Sequence, residues 1–401
     1  MIMKDKTYHI FLLIASILLI SIPPALVSGP FLPDLFVVTI SVIFLFIYKY
    51  NKELILFRSK FFKLFLIFYF CLIVSSLFSE NVNVAIKPSI TYLRFGLFSL
   101  AIFFIIQTYP KFKLYFYYIL LLTIFILLFD GFFQFFSGKN IFGYKVVRAD
   151  RLGGLFFDEL ILGSYLSKIL PIFCTFILFN KDIINKKIIF LLIFFTYLLI
   201  FLSGERMAFL SITLYFFLIT PFFFPIKKIL IFFIFMSITF TTLIFTNEKI
   251  KSRYYDQMII HTINITNKNE KIFLPEYMGL FSTSINIFKE NVLFGGGLKT
   301  FRINCKDPKY VTKKILQSNL EKRNKNCSTH PHNFYLQLLA ETGIFSFLFI
   351  FLIFIQLLKK YIKNIYRHFN QKLEVSKSKM TILCGLITYL WPLTTTGSFF
   401  N

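Results

Sequence analysis

The sequence predicts an all-α polytopic membrane protein. Three observations carry the reading. Of its 401 residues 57% are hydrophobic, 59 of them phenylalanine. The apolar residues come in runs of about 20, the length that crosses a hydrocarbon core roughly 30 Å thick. Lysine and arginine gather in the short connectors between those runs, where they act as topology determinants and headgroup partners. The mean hydropathy of +0.71 is more than a soluble domain of this length needs, because surface-to-volume scaling limits how much apolar surface an interior can hold.

The first run, 9–27, follows a charged start at Lys4 and Lys6. It resembles a signal peptide, but no clear small-x-small cleavage site follows and a second run begins at once, so it reads as an uncleaved first helix. Further runs at 31–48, 60–78, 88–107, 113–130, 159–179, 188–203, 207–225, 228–246, 333–357 and 380–398 bring the expectation to about eleven transmembrane helices. Pro23-Pro24, Gly29-Pro30, Pro110 and Pro225 punctuate their ends.

Charge sets the expected orientation. With the N-terminus cytoplasmic, the inner connectors carry Lys49, Lys52, Arg58, Lys60, Lys63, Lys111, Lys113, Lys181, Lys186, Lys187, Lys227 and Lys228, then Lys359, Lys360, Lys363, Arg367, Lys372, Lys377 and Lys379. The opposite short loops hold only Lys87, Lys139, Lys145, Arg148, Arg151 and Arg206. That bias puts the inner side in the cytoplasm. The long stretch 247–331 is basic too, but long loops translocate largely regardless of charge, and parity makes it one large periplasmic loop. The net charge of +25 does not point to nucleic acid, because the basic residues sit in connectors and no basic-aromatic domain exists to track a phosphate backbone. No internal repeat is visible, so the inverted-repeat signature of many transporters is missing.

Cys71, Cys174 and Cys384 lie in apolar runs and read as small buried hydrophobes. Cys305 and Cys327 share the long loop. In an oxidising compartment they are candidates for a disulfide worth on the order of 3 kcal/mol; two free thiols are the other reading.

The polar motifs converge on the outer face: Arg148-Ala-Asp-Arg-Leu-Gly-Gly-Leu-Phe-Phe-Asp-Glu159, Ser203-Gly-Glu-Arg206, Asn291-Val-Leu-Phe-Gly-Gly-Gly-Leu-Lys-Thr-Phe-Arg302 and His330-Pro-His-Asn333. Arg148 and Arg151 alone read as headgroup contacts. Arg206 stands at a break between two very apolar helices, and an ionisable group so placed usually faces a cavity or a partner; Glu205 is a candidate partner. Gly295-Gly-Gly-Leu-Lys-Thr300 is no P-loop, since Leu298 breaks the Gly-Lys-Thr adjacency and no parallel strand precedes it. His330 and His332, separated by one Pro and without a placed third ligand, make a poor metal site. Beside several arginines they fit better with an anion such as a diphosphate, which guanidinium groups hold bidentately.

These residues are similar to those of a known family. His332-Asn333, nine residues and Gly343 resemble the His-Asn-x9-Gly pattern of the bacterial O-antigen ligase and polymerase membrane glycosyltransferases. Ser203-Gly-Glu-Arg206-Met-Ala-Phe, Phe294-Gly-Gly-Gly-x3-Phe-Arg302, Arg151-Leu-Gly-Gly-Leu-Phe-x2-Glu159 and Trp391-Pro-Leu-x3-Gly-Ser-Phe-Phe resemble further segments of the group. Ser346 and Val292 depart from the usual pattern, away from the expected chemistry. The resemblance divides the chain into N-terminal transmembrane helices, 1–136, and a ligase-like region, 137–401, containing the loop 247–331. It implies a GT-C-like fold in the bacterial inner membrane. In relatives the last motif leads into a further helix, so a twelfth span would be missing or very short after Asn401.

The resemblance also implies an activity: transfer of a glycan from undecaprenyl diphosphate to an acceptor hydroxyl on the periplasmic side, with inversion and without metal or cofactor. The acceptor would be a lipid A core for a ligase, or another lipid-linked glycan for a polymerase. His332 would be the general base, with Arg206, Arg302, Arg151 and His330 binding substrate and Glu341 structural. A lipid-linked oligosaccharide flippase is a different class, which would want charges deep in several spans. No nucleic-acid partner is expected.

Overall fold

The computed structural model describes residues 2–50, 55–148, 150–179, 185–260, 275–311, 327–371, 375–395 and 397–400. Lys52, Lys181, Lys372, Asn401 and the segments 261–274 and 312–326 of the long loop lie outside the described residues.

The protein is helical, and among the described residues there is no β-strand, only two isolated bridges. In chain order the helices are α1 (Ile2–Val27), α2 (Phe31–Tyr50), α3 (Lys60–Leu77), α4 (Val82–Thr91), α5 (Leu93–Thr108), α6 (Phe112–Ser137), α7 (Leu162–Phe179), α8 (Lys186–Leu202), α9 (Arg206–Ile219), α10 (Ile226–Thr246), α11 (Glu248–Lys251), α12 (Pro275–Glu290), α13 (Phe301–Asn304), α14 (Phe334–Phe369) and α15 (Lys377–Tyr389). Hydrocarbon leaves backbone polar groups no water to bond, so spanning segments fold as helices that satisfy themselves internally. Eight of the described helical stretches are long and apolar enough to cross a membrane, α4 and α5 together forming one of them. The protein is a polytopic membrane protein.

Three of the expected spans are shorter. α8 has 17 residues, α9 has 14 and α15 has 13. α9 gives way to a 3-10 turn at Thr220–Phe222, where Pro221 and then Pro225 remove the donors a longer helix needs. α15 stops at Tyr389 ahead of Trp391-Pro392, and residues up to Phe400 fold back without helix against the start of α14. The apolar run 380–398 is therefore half helix and half docking segment.

The main core is built where α1, α2, α5, α6, α7, α8, α9 and α15 meet, around Leu120, Ile124, Leu166, Leu170, Phe173, Leu199, Ile200 and Ile212, all fully buried. Phe70, Phe125, Phe129, Phe136 and Ile231 stay exposed on the outside of the bundle, a belt that suits lipid and would aggregate in water. A separate small core collects Leu280, Ile287, Phe301, Tyr310 and Ala340 from the long loop and α14. In it Cys305 and Cys327 form a disulfide with Cα atoms 5.0 Å apart, so the candidate pair is joined. It ties the Arg302 turn to the segment leading into His330.

Candidate functional site

The site assembles from two clusters. The first begins at the end of α8, where Ser203 and Gly204 turn the chain before α9. The segment 148–152 docks on this turn: Leu152 N donates to the Ser203 carbonyl at 3.2 Å, and the Asp150 carbonyl lies where a Cβ on Gly204 would stand, 2.3 Å away. Only glycine permits that approach. After α10, the π-helical segment Ser252–Ile260 returns to the same place. Tyr254 stacks on Phe201 at 4.6 Å and its hydroxyl donates to the Phe201 carbonyl at 2.9 Å. Arg253 Nε donates to the Gly204 carbonyl at 2.8 Å.

Arg148, Arg151, Arg206 and Arg253 are thereby close enough to act on one another electrostatically. Burial and then the Arg206 and Arg151 charges make the charged form of Arg253 harder to hold, with Asp150 acting the other way. Two carboxylates answer four guanidinium groups. Asp150 pairs with Arg148 at 3.3 Å and Arg253 at 3.6 Å. Burial pushes its carboxyl up, but the Gln257 amide and these two arginines outweigh that and hold it below the usual range. Glu205 is raised by burial. It accepts from Gly163 N at 2.7 Å, from Ser164 N at 3.2 Å and from the Ser164 hydroxyl, and lies 3.8 Å from Arg151. Glu205 therefore serves α7 and Arg151, not its neighbour Arg206. The Nη1 atom of Arg206 is buried without a hydrogen-bond partner among the described residues.

The second cluster lies at the start of α14. Asn333 caps the helix, accepting from Tyr335 N at 3.0 Å and Leu336 N at 3.1 Å. Its amide donates to the carbonyls of Pro392 at 2.8 Å and Thr394 at 3.3 Å. One residue earlier, His332 adopts a positive φ of 57°. Its ring meets Tyr277 edge-on at 5.9 Å, lies 4.3 Å from the His330 ring, and has Nε2 3.5 Å from the Ser328 hydroxyl. Burial lowers the His332 pKa, which favours the neutral imidazole a general base requires.

The glycine-rich segment does not cradle an anion with its amides. Gly296 N and Gly297 N donate to the carbonyls of Ala340 and Glu341, each at 2.8 Å. Glu341 is fully buried and its carboxylate accepts from Phe301 N at 3.2 Å and the Gln337 amide at 3.0 Å, so it buckles the loop to α14. Arg302 projects from this buckle, exposed, beside Lys299. Lys299 is lowered by burial and by Arg302, and also feels Glu341, Arg94 and Asp34. Arg151 and Arg206 thus stand together, as do His330 and His332, while Arg302 belongs to the glycine-rich buckle. Among the described residues no hydrogen bond or ion pair joins Arg302 to Arg206.

A cavity of about 590 Å³ lies next to both clusters. Its wall includes Ser164, which bonds Glu205, and Met207, the neighbour of Arg206, and also Phe334, two residues after His332, and Ser398, against Gln337. Sequence reasoning missed Arg253. The signal was available in Lys251-Ser-Arg-Tyr-Tyr, basic and aromatic directly after an apolar run, but nothing in the sequence says that this segment returns to Gly204.

Residues 189–351 match the family model described as O-antigen ligase. Over those residues the chain is similar to the O-antigen ligase family. No curated protein matches the chain. The matched segment contains Arg206, Arg253, Arg302, His330 and His332, whereas Arg148 and Arg151 precede it and join it through their docking on Ser203-Gly204.

Proposed function

We propose that this protein is an inverting membrane glycosyltransferase of the O-antigen ligase type. It moves a glycan from undecaprenyl diphosphate to an acceptor hydroxyl on the periplasmic face. The observation that carries this reading is the excess of guanidinium over carboxylate around Arg206, whose buried Nη1 has no partner among the described residues, beside a cavity whose wall runs from its neighbour Met207 to Phe334, two residues after His332.

In this reading the diphosphate lies against Arg206, Arg151 and Arg253, which complement its charge bidentately. Arg302 reaches the substrate from the glycine-rich buckle, and His330 from the second cluster. The acceptor hydroxyl gives its proton to neutral His332 as its oxygen bonds to the anomeric carbon. The bond from that carbon to the diphosphate oxygen breaks on the opposite face, and the electron pair leaves with the diphosphate. The departing group is already a weak base, so the arginines need only stabilise the charge it gains, while the base supplies about 10²–10⁴-fold.

Complementation of ligase-null and polymerase-null strains tests this. Wild type restores ladder-like surface polysaccharide in one strain, and which one identifies the acceptor. His332→Ala and Arg206→Ala fail to do so at normal protein levels. Full activity in both variants would remove the assignment.

A further inference from the structure

The cavity between the clusters carries a charge of its own. Lys168 is one turn beyond Ser164 on α7 and is the charged member of the wall among the described residues. It is exposed, and the cavity takes part of that surface. Its ammonium lies 5.8 Å from the Tyr389 ring centroid. The carboxylate whose field reaches it, Glu205, is already taken by Gly163, Ser164 and Arg151. An ammonium in an apolar wall is costly unless an anion meets it.

The rest of the wall says what kind of anion. Ile172 and Phe179 on α7 and Ile382 and Leu386 on α15 line the cavity, yet each is 45% exposed. The groove these two helices share, floored where Pro171 packs on Gly385, therefore opens on the apolar outer belt, where hydrocarbon reaches it before water does. The volume is within the range of small-molecule sites, and Ser167, Ser211 and Thr388 add hydroxyls near the lysine's end of the wall. A ligand that suits this wall has an apolar chain and one anionic head.

We propose that the cavity is a lipid-chain site entered sideways along the outer groove of α7 and α15, and that Lys168 binds the phosphate at the head of the chain. This deepens the donor reading and rests on it only for the identity of the lipid.

The test uses the full chain in neutral-lipid nanodiscs, read by the fluorescence of its single tryptophan, Trp391, two residues beyond the cavity's Tyr389. Farnesyl phosphate, farnesol and inorganic phosphate are titrated separately. Farnesyl phosphate binds best, and inorganic phosphate produces no saturable change. Lys168→Met weakens farnesyl phosphate by at least about tenfold, the worth of a charged hydrogen bond, and leaves farnesol unchanged, while Lys168→Arg stays close to wild type. Lys168→Gln replaces the methionine variant if that one does not fold. Equal binding of farnesyl phosphate by wild type and both neutral variants overturns the proposal, as does inorganic phosphate binding as tightly as the lipid. If Arg206→Ala alone abolishes the phosphate preference, the head belongs to the arginines and Lys168 has no part. If Lys168→Met loses binding while His332→Ala and Arg206→Ala keep full transfer activity, the lipid site stands and the donor reading falls.

Discussion

At the scale of single residues, His332 combines a half-buried imidazole with a positive φ that L side chains rarely adopt. Such strain costs on the order of 1–3 kcal/mol and persists where the surroundings impose it; here the Asn333 cap and the disulfide-tied segment do so. A base must be neutral to accept a proton. Activity is expected to fall as pH drops through the His332 pKa, and because burial lowers that value, the midpoint of the acid limb lies below the ordinary histidine value of about 6.5. A pH–rate profile of transfer in detergent checks this; an acid limb above 6.5 excludes His332 as the base. Arg253 yields a second expectation. Arg253→Ala removes a cation from the cluster and frees Gly204 and Asp150, so the donor KM should rise by about tenfold or more in an in vitro transfer assay. Unchanged kinetics would mean that Arg253 only braces the turn. His332, Arg206 and Arg302 could be picked out from their neighbours in sequence. Arg253 could not, because its place depends on a long-range return of the chain, and Glu205, a candidate partner for Arg206, lies by Arg151 because adjacency in sequence is not adjacency in space.

At the scale of elements, Gly343 divides α14. Its backbone, φ 70° and ψ −167°, lies in a region essentially reserved for glycine, and a Cβ there would stand 2.2 Å from the Leu293 carbonyl oxygen. Gly343→Ala should therefore lose about 1–3 kcal/mol from backbone strain alone, with more from the contact, and thermal unfolding in detergent should move down accordingly. An unchanged midpoint would show that the loop can retreat. The spacing of His332-Asn333 and Gly343 was plain in sequence, but its meaning was not. The asparagine is a helix cap and the glycine seats the loop 292–297, through Ile344 N on the Val292 carbonyl at 2.9 Å. Hydropathy located the apolar runs well and overestimated 207–225 and 380–398, because it cannot see where prolines or a docking tail stop a helix.

At the scale of the whole molecule, α14 after Gly343 runs 344–369, about 39 Å at 1.5 Å per residue, enough to cross a bilayer. The histidines immediately precede α14, and its end carries Lys359, Lys360, Lys363 and Arg367. With the basic end cytoplasmic, His332→Cys and Lys363→Cys should label from opposite sides with a membrane-impermeant maleimide. Labelling of both from one side would overturn the proposed orientation. Composition made the membrane class legible at once, since no other solvent accommodates so much exposed phenylalanine. The convergence of two clusters on one cavity was not legible, because it is a property of packing among α7, α9, α14 and α15.

The docking of the 391–400 segment on Asn333 and Gln337 also has a consequence in time. Asn333 waits for Pro392, 59 residues later, and Gln337 for Phe399, 62 residues later. At about 5–20 residues per second of synthesis, the histidine segment emerges roughly 3–12 seconds before the chain that braces it. In the proposed mechanism a nascent copy already in the membrane would then have its arginines without a finished base, and would meet lipid-linked substrate as a bystander.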